Sequence, residues 1–268
     1  MLCGSFSLHP VGTGASMHRA GYAALGLDGW QYEAFRVNDL GPAVAAIRGL
    51  GLRGVGISMP FKQQILPMLD ALDPVAAAIG AVNTVVNDDG RLTGHNTDWV
   101  GALRALDEVT SVAGRAVLLI GAGGAARAVA HGLRQRACRV AILNRDEGRA
   151  AELAAATGAT VAPREHRTQA GPYEVVINAS SVGMREVDPG SPVGAGALTA
   201  GQVVMDIVYK PTETTLVREA RERGATAVHG GRMLLHQAAA QFELYTGRPA
   251  PLAAMDAALR RALGETSA

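Results

Sequence analysis

Short apolar runs alternate with longer segments in which apolar positions recur every three or four residues along nearly the whole chain. Residues 2–8 are short and apolar-rich, a predicted strand. They run into the loop His9-Pro10-Val11-Gly12-Thr13-Gly14 and then a helical pattern from Ser16 to about Leu25. Residues 31–37 alternate polar and apolar as a half-buried strand does. Asp39 is placed to cap a helix that ends near Gly49 or Gly51. Gly54-Val55-Gly56-Ile57-Ser58 follows, too glycine-rich to be a good strand on propensity alone. Pro60 suits the first turn of another helix. Residues 81–86 predict a strand, Asn87-Asp88-Asp89-Gly90 a hairpin turn and residues 91–94 the return. A helix from about Asp98 leads into a second series: strands at 117–120 and 139–143, a helix at 146–157, strands at 175–178 and 203–207. A helix at 214–223 and a strand near 226–228 complete it, and helices near 231–246 and 252–263 close the chain. Residues 183–201, with Pro189, Pro192 and five glycines, predict a mobile loop. Strands alternating with helices predict an α/β protein of two units, the first with a mostly parallel sheet. A cleft at the junction is where a ligand is expected.

The most informative stretch is 117–143. Val117-Leu118-Leu119-Ile120 runs at strand length into Gly121-Ala122-Gly123-Gly124-Ala125-Ala126 and an alanine-rich helical pattern, and a second apolar strand follows. Gly121, Gly123 and Ala126 fit the G-x-G-x-x-G/A fingerprint. The first glycine permits a tight turn, the second lets a pyrophosphate touch backbone, and the small third residue lets helix pack on strand. The helix start offers free N–H groups and partial positive charge to phosphate. A glycine turn alone can be purely structural, but here both strands and the helix stand where a dinucleotide site needs them. An acid expected some 20 residues on would hold a ribose 2′-hydroxyl. This chain has Asn144-Arg145 there instead, with Arg149 a turn later. Arginine's planar fork suits a 2′-phosphate, which favours NADP. NAD stays open, because Asp146 can neutralise Arg145 or accept from a bare ribose. The competing view of Arg134, Arg136, Arg139, Arg145 and Arg149 is a solvated charged face.

Composition narrows the partners. Charged residues make up 18% and apolar ones 48%, an ordinary globular balance. A net charge of +1 gives no electrostatic case for nucleic acid or an anionic membrane. No apolar run approaches the roughly 18 residues of a membrane helix, and no basic segment followed by an apolar core opens the chain, so a cytoplasmic protein is expected. Cys3 and Cys138 make no disulfide framework and are expected as buried thiols. The seven histidines show no metal spacing. Of 25 basic residues only Lys62 and Lys210 are lysine. A chain that uses arginine almost everywhere keeps lysine where a group must lose a proton, which arginine cannot do.

Three short segments carry more polar groups than packing requires: Ser58-Met59-Pro60-Phe61-Lys62, Ala81-Val82-Asn83-Thr84 and His95-Asn96-Thr97-Asp98. Each falls at a predicted strand end, where sites in α/β sheets are built. Lys62 and Asp98 could form an acid–base pair, with a carboxylate orienting a partly desolvated amine. Spacing alone equally allows a surface lysine and a helix-capping aspartate.

These segments are also where the chain resembles the shikimate dehydrogenase family, along nearly its whole length. Ser58-Met59-Pro60-Phe61-Lys62 is similar to that family's lysine motif, and Ala81-Val82-Asn83-Thr84 and Asn96-Thr97-Asp98 to its asparagine and aspartate motifs. Residues 121–125 and Asn144-Arg145 resemble its cofactor loops, and Asn178-Ala179-Ser180-Ser181-Val182-Gly183-Met184 its nicotinamide-side loop. Tyr209-Lys210-Pro211 and Met233-Leu234-Leu235-His236-Gln237-Ala238 match its last two motifs. The resemblance implies a substrate domain at 1–100, completed by helices at 237–268, and a Rossmann dinucleotide-binding domain at 101–236. It implies NADP-linked interconversion of shikimate and 3-dehydroshikimate by a cytoplasmic monomer or homodimer whose partners are small molecules. By the same resemblance Lys62 transfers the proton and Asp98 bonds the same hydroxyl. Ser58, Asn83 and Gln237 hold ring hydroxyls with Tyr209 nearby. Gly121, Gly123, Gly124, Ala125, Asn144, Arg145 and Arg149 hold the cofactor, and Met184 and Gly231 line the nicotinamide pocket.

Two departures bear on the substrate. The family's opening motif has two serines, close to a proline, that grip a carboxylate. Here Gly12 and Gly14 stand at the serine positions and Ala15 at the proline, which leaves Ser5, Ser7, Thr13 or loop N–H groups to rebuild the grip. Losing two charge-assisted hydrogen bonds costs roughly 3 kcal/mol in binding, about a hundredfold. Arg232 stands where the family has glycine, placed to meet an anion or occlude the nicotinamide. Both point to the shikimate dehydrogenase-like branch, with a quinate- or aminoshikimate-type dehydrogenase, or a dinucleotide sensor without turnover, as alternatives.

Overall fold

The computed structural model describes residues 1–169 and 171–265. The chain divides into two compact units: Met1–Thr97 with Leu235–Ala268, and Asp98–Leu234. The last three residues of the expected 237–268 segment lie outside the described residues.

In the first unit the strands are β1 (Leu2–Ser7), β2 (Gln31–Arg36), β3 (Leu52–Ile57), β4 (Ala71–Leu72), β5 (Thr84–Asp88) and β6 (Arg91–His95), in sheet order β2-β1-β3-β5-β6-β4. Pairs β1–β2, β1–β3 and β4–β6 are parallel, whereas β5 runs antiparallel to both neighbours, so the sheet is mixed with a parallel majority. Helices α1 (Thr13–Ala24), α2 (Leu40–Gly49), α3 (Phe61–Gln64) and α4 (Pro74–Ile79) fill the crossovers. Asp39 caps α2 as expected, its carboxylate accepting from Gly41 N. The core gathers Phe6, Ile47, Val55, Ile57, Phe61, Ile65, Val85 and Leu92.

The glycine-rich segment lies, up to Ile57, in a central strand after all. β3 is paired on both edges. Over Gly54 lies the ring of Tyr245, close enough that any Cβ would overlap it, and over Gly56 lie the Tyr32 hydroxyl and the Gln241 amide. Glycine is required here by what packs on the sheet, which outweighs its poor strand propensity. Strand β5 starts later than the pattern predicted. Residues 82 and 83 instead spend their amides on crossing bonds, Val82 N to Lys62 O at 2.8 Å and Asn83 N to His95 O at 3.1 Å. The expected hairpin turn forms, with Gly90 N donating to Asn87 Oδ1 at 2.7 Å.

The second unit opens on α5 (Asp98–Asp107). Its strands are β7 (Ala116–Ile120), β8 (Arg139–Leu143), β9 (Thr160–Val161), β10 (Val175–Asn178), β11 (Val203–Asp206) and β12 (Thr226–Val228). Every pairing is parallel, in the order β12-β11-β10-β7-β8-β9. Helices α6 (Gly124–Gln135), α7 (Glu147–Thr157) and α8 (Thr215–Glu222) alternate with them. Helix α9 (Gly230–Thr246) contains the boundary between the units, and α10 (Leu252–Leu263) follows. Val117 and Leu119 join one hydrophobic cluster while Leu118 and Ile120 join another, and β10 and β11 divide in the same way. Successive side chains point to opposite faces, so both faces of this sheet are buried, as an all-parallel sheet demands. The 183–201 segment, expected to be mobile, packs Val193, Ala197 and Leu198 into one of these clusters. Cys3 is buried, but Cys138 is only half-buried. Among the described residues no helix is long and apolar enough to cross a membrane.

Candidate active site

In the first unit the polar residues gather at the strand ends around β5. Asn83 is buried and its amide is fully engaged. Nδ2 donates to Thr97 Oγ1 at 2.9 Å and to Gln237 Oε1 at 3.0 Å, and Oδ1 accepts from Thr97 N and Thr84 Oγ1, each at 2.7 Å. Gln241 closes the cluster from α9, donating to Asn83 O at 3.1 Å and Thr84 Oγ1 at 3.0 Å. Asn96 donates to Ala81 O at 2.9 Å. Asn83 thus orients its neighbours, whereas Ser58 and Gln237 keep uncommitted polar groups. The Ser58 side chain is exposed, and among the described residues Gln237 Nε2 meets no acceptor. Lys62 lies half-buried on α3, held by its carbonyl, which accepts from Val82 N. Asn83→Ala removes the acceptor of the buried Thr97 N–H, which costs about 1–3 kcal/mol. A thermal melt of the ligand-free protein is expected to fall by several degrees.

The opening glycine loop is uncapped. Gly12 (φ 76°) is the N-cap of α1 and offers no side chain, and a Cβ at Gly12 or Gly14 would meet nothing within 4 Å. Thr13 Oγ1 is buried with no partner among the described residues. Ser7 is buried and Ser5 half-buried. The loop borders a cavity of about 380 Å³ whose lining includes Arg19 and Glu33.

In the second unit Asp98 is the buried first residue of α5, where the helix dipole favours a carboxylate. The strand order reverses between β7 and β10, and the loops leaving their C-terminal ends meet there. Gly121 (φ 112°) packs so closely that a Cβ would come within 2.7 Å of Ala179 O, while its N–H donates to Leu143 O at 2.9 Å. Gly123, by contrast, faces open space, and α6, which starts at Gly124, has no side-chain cap. Ala125 lies in its first turn, and Ala126 is fully buried. In the same turn Arg127 Nε is buried without a partner among the described residues. This arrangement of open backbone, uncapped amides and an orphaned cationic donor fits the diphosphate of a dinucleotide. Asn144 Nδ2 donates to Asp146 O, and the Asp146 carboxylate caps α7 by accepting from Arg149 N. Asp146 is therefore occupied, while the exposed Arg145 and Arg149 side chains form no ion pair among the described residues. Met184 is half-buried in a turn closed by its N–H to Ser181 O at 3.2 Å. Gly231 is buried in the first turn of α9. Tyr209 is half-buried, and burial pushes its phenol above the usual range.

Arg232 departs from expectation. Its guanidinium grips Glu108 with two bonds, Nε to Oε2 at 2.7 Å and a second nitrogen to Oε1 at 2.6 Å. A bidentate fork of this kind engages the guanidinium on protein, a partner that the sequence did not suggest.

The comparisons follow the same division. Residues 9–85 match the family described as shikimate dehydrogenase substrate binding domain, residues 104–186 shikimate / quinate 5-dehydrogenase, and residues 230–260 the shikimate 5′-dehydrogenase C-terminal domain. The shikimate dehydrogenase (NADP⁺) of Moorella thermoacetica is 43% identical over 97% of this chain and 92% of its own. The chain belongs to the shikimate dehydrogenase family. Among solved family structures, shikimate 5-dehydrogenase from Thermus thermophilus in complex with NADP(H) and shikimate superposes with a TM-score of 0.88. It is 37% identical, covering 98% of this chain and 100% of that one. A ligand-free 5-ketofructose reductase of Gluconobacter superposes at 0.86 with 34% identity, covering 97% and 98%. The shikimate dehydrogenase architecture, a substrate-binding N-terminal domain and a Rossmann domain, is therefore the architecture of this chain.

One polar group was not anticipated from sequence. Asp206, at the end of β11, is fully buried, and desolvation pushes its carboxyl up to about 6. A folded pKa above the usual 3.8 means that its share of stability is full below that value and is lost as pH rises through about 6. Asp206→Asn is accordingly expected to gain melting temperature relative to wild type as pH rises across that window. A constant offset would contradict the assignment. The sequence signal was a carboxylate ending a run of three apolar residues, Val203-Val204-Met205.

Proposed function

We propose that the protein is an NADP-dependent dehydrogenase that interconverts shikimate and 3-dehydroshikimate or a closely related cyclohexene polyol acid, a step toward chorismate and the aromatic amino acids. The observation that carries this reading is the open glycine turn at the strand-order reversal of a parallel sheet, where dinucleotides bind. When bound, NADP takes up or returns a hydride at its nicotinamide. The chain's own residues supply position and one proton. Lys62 gives and takes the hydroxyl proton, and Asp98 accepts a hydrogen bond from a substrate hydroxyl. Ser58 and Gln237 hold ring hydroxyls through their uncommitted groups, Asn83 orients Gln237, and Tyr209 borders the ring. Backbone at Gly121, Gly123, Gly124 and Ala125 receives the diphosphate. Asn144, Arg145 and Arg149 hold the ribose and its 2′-phosphate, and Met184 and Gly231 line the nicotinamide. The enzyme acts in the cytoplasm as a monomer or homodimer on small molecules, with no nucleic acid or membrane partner, and NAD serves as the poorer cofactor.

The test is NADPH formation from shikimate, scored by kcat/KM against quinate and aminoshikimate. Failure with all three while NADP binds would refute this substrate class. Arg145→Ala is expected to raise the KM for NADP roughly tenfold, as loss of one charged hydrogen bond does, and that for NAD hardly at all. Equal changes would remove the phosphate clamp. A second reading, a neutral polyol, is favoured by Gly12 and Gly14, since 5-ketofructose, the substrate named for the Gluconobacter relative, bears no carboxyl group. Faster NADPH oxidation with that ketose than with 3-dehydroshikimate would select it.

A further inference from the structure

We propose that Asp206 is a positioning residue for the cofactor's nicotinamide end, holding the 178–184 turn in the shape the hydride step needs. This rests on the reading that the second unit binds NADP. The Asp206 carboxylate sits beneath the turn. Asn178 Nδ2 donates to Asp206 Oδ1 at 2.9 Å and also to Val182 O at 2.8 Å. Asn178 Oδ1 accepts from Ser180 N at 3.0 Å and Ser180 Oγ at 2.6 Å, and Ser180 Oγ accepts from Val182 N at 3.3 Å. Asp206 Oδ1 thus anchors the Asn178 amide from beneath while the same amide ties the turn together. Gly183 (φ 107°) lies over the same carboxylate, 3.4 Å from Asp206 Oδ2 to where a Cβ would stand. The turn abuts the dinucleotide loop, because Ala179 O is the atom against which Gly121 packs.

The same carboxylate holds a second segment. Val208 N donates to Asp206 Oδ1 at 3.0 Å, and Ile207 N to Asn178 O at 3.0 Å, which sets the residues leading to Tyr209. The other oxygen takes its hydrogen bond from elsewhere: Thr214 Oγ1 donates to Oδ2 at 2.7 Å, and Thr214 caps α8 by accepting from Val217 N. A buried carboxylate with no cationic partner among the described residues is a costly way to close a strand. The hydrogen bonds to Oδ1 come from the turn and from the segment before Tyr209, whereas the hydrogen bond to Oδ2 comes from the α8 cap. The two oxygens can therefore be tested separately.

The test compares Asp206→Ala, Asn178→Ala and Thr214→Val with wild type, measuring NADPH dissociation by fluorescence, kcat, KM for each substrate and the melting temperature. Asp206→Ala and Asn178→Ala are expected to lower kcat/KM for NADP by about ten- to a hundredfold, as small misplacements of a reacting group do. The KM for shikimate is expected to stay within about threefold, and the double variant to be no worse than the poorer single one, because both act through one contact. Asp206→Asn keeps an oxygen for Asn178 and is expected to recover most of kcat. Thr214→Val is expected to melt lower with kcat unchanged. If Asp206→Ala does not fold, Asn178→Ala carries the comparison alone. Unchanged kcat and NADPH affinity in the turn variants, or a loss in Thr214→Val that matches theirs, overturns the proposal. A wild-type protein that fails to bind NADPH overturns the functional reading instead.

Discussion

Lys62→Ala is expected to give a folded protein that still binds NADPH but turns over at least about a hundredfold more slowly, the range one general acid–base group contributes. The fold is expected to survive because Lys62 is half-buried and α3 is anchored by its neighbours. Phe61 and Ile65 lie in the core, and the Lys62 carbonyl keeps its bond from Val82 N whatever the side chain. Lys62→Arg separates charge from proton transfer. Arginine keeps the cation but cannot release a proton near neutral pH, so the two variants are expected to be equally slow. An arginine variant that recovers a large part of the rate would assign Lys62 an electrostatic role. The comparison is sharpest in single-turnover experiments with saturating NADPH, where binding and chemistry are read apart.

The second large effect is expected at Gly121→Ala. At φ 112° an L side chain is strained, and the new Cβ would stand 2.7 Å from the Ala179 oxygen and 2.9 Å from its carbonyl carbon. Both are backbone atoms, so no rotamer change relieves the overlap, and the Gly121 N–H bond to Leu143 O resists a shift of the glycine itself. Strain of about 1–3 kcal/mol lowers the melting temperature by several degrees. The displaced 179–180 backbone is expected to weaken NADPH binding by a hundredfold or more. Gly123→Ala isolates the ligand's part. With φ −86° and nothing within 4 Å, alanine costs no strain there, so the ligand-free melt is expected to hold while NADPH affinity falls. Unchanged affinity in Gly123→Ala would mean that no phosphate approaches this backbone.

Much of the fold was legible in sequence because apolar spacing reports which face of an element is buried. The strands and helices of the second unit follow the pattern closely, since a parallel sheet covered on both faces leaves continuous apolar runs such as residues 117–120. The fingerprint was legible for a local reason: a tight turn, a close backbone approach and a small packing residue are each satisfied within six positions. Other features were not local. Residues 54–56 were misjudged because glycine there is demanded by Tyr245, nearly two hundred positions away in sequence, and by Tyr32 and Gln241. Arg232 read as free to meet a ligand because nothing in its neighbourhood names Glu108 as its partner. Sequence pointed Asn83 at substrate, and only the fold shows that its amide also ties Thr97, Thr84 and Gln237 together.

The sequence by itself determined the alternation of elements and the dinucleotide turn, and it singled out Arg145, Arg149 and Lys62 as candidates. These depend on spacing and on the chemistry of single residues. Only the tertiary structure decided which polar groups remain available and which are consumed in holding others. A hydrogen bond has two ends, and for Asn178 and Asp206, as for Arg232 and Glu108, the second end is brought near only when the chain folds.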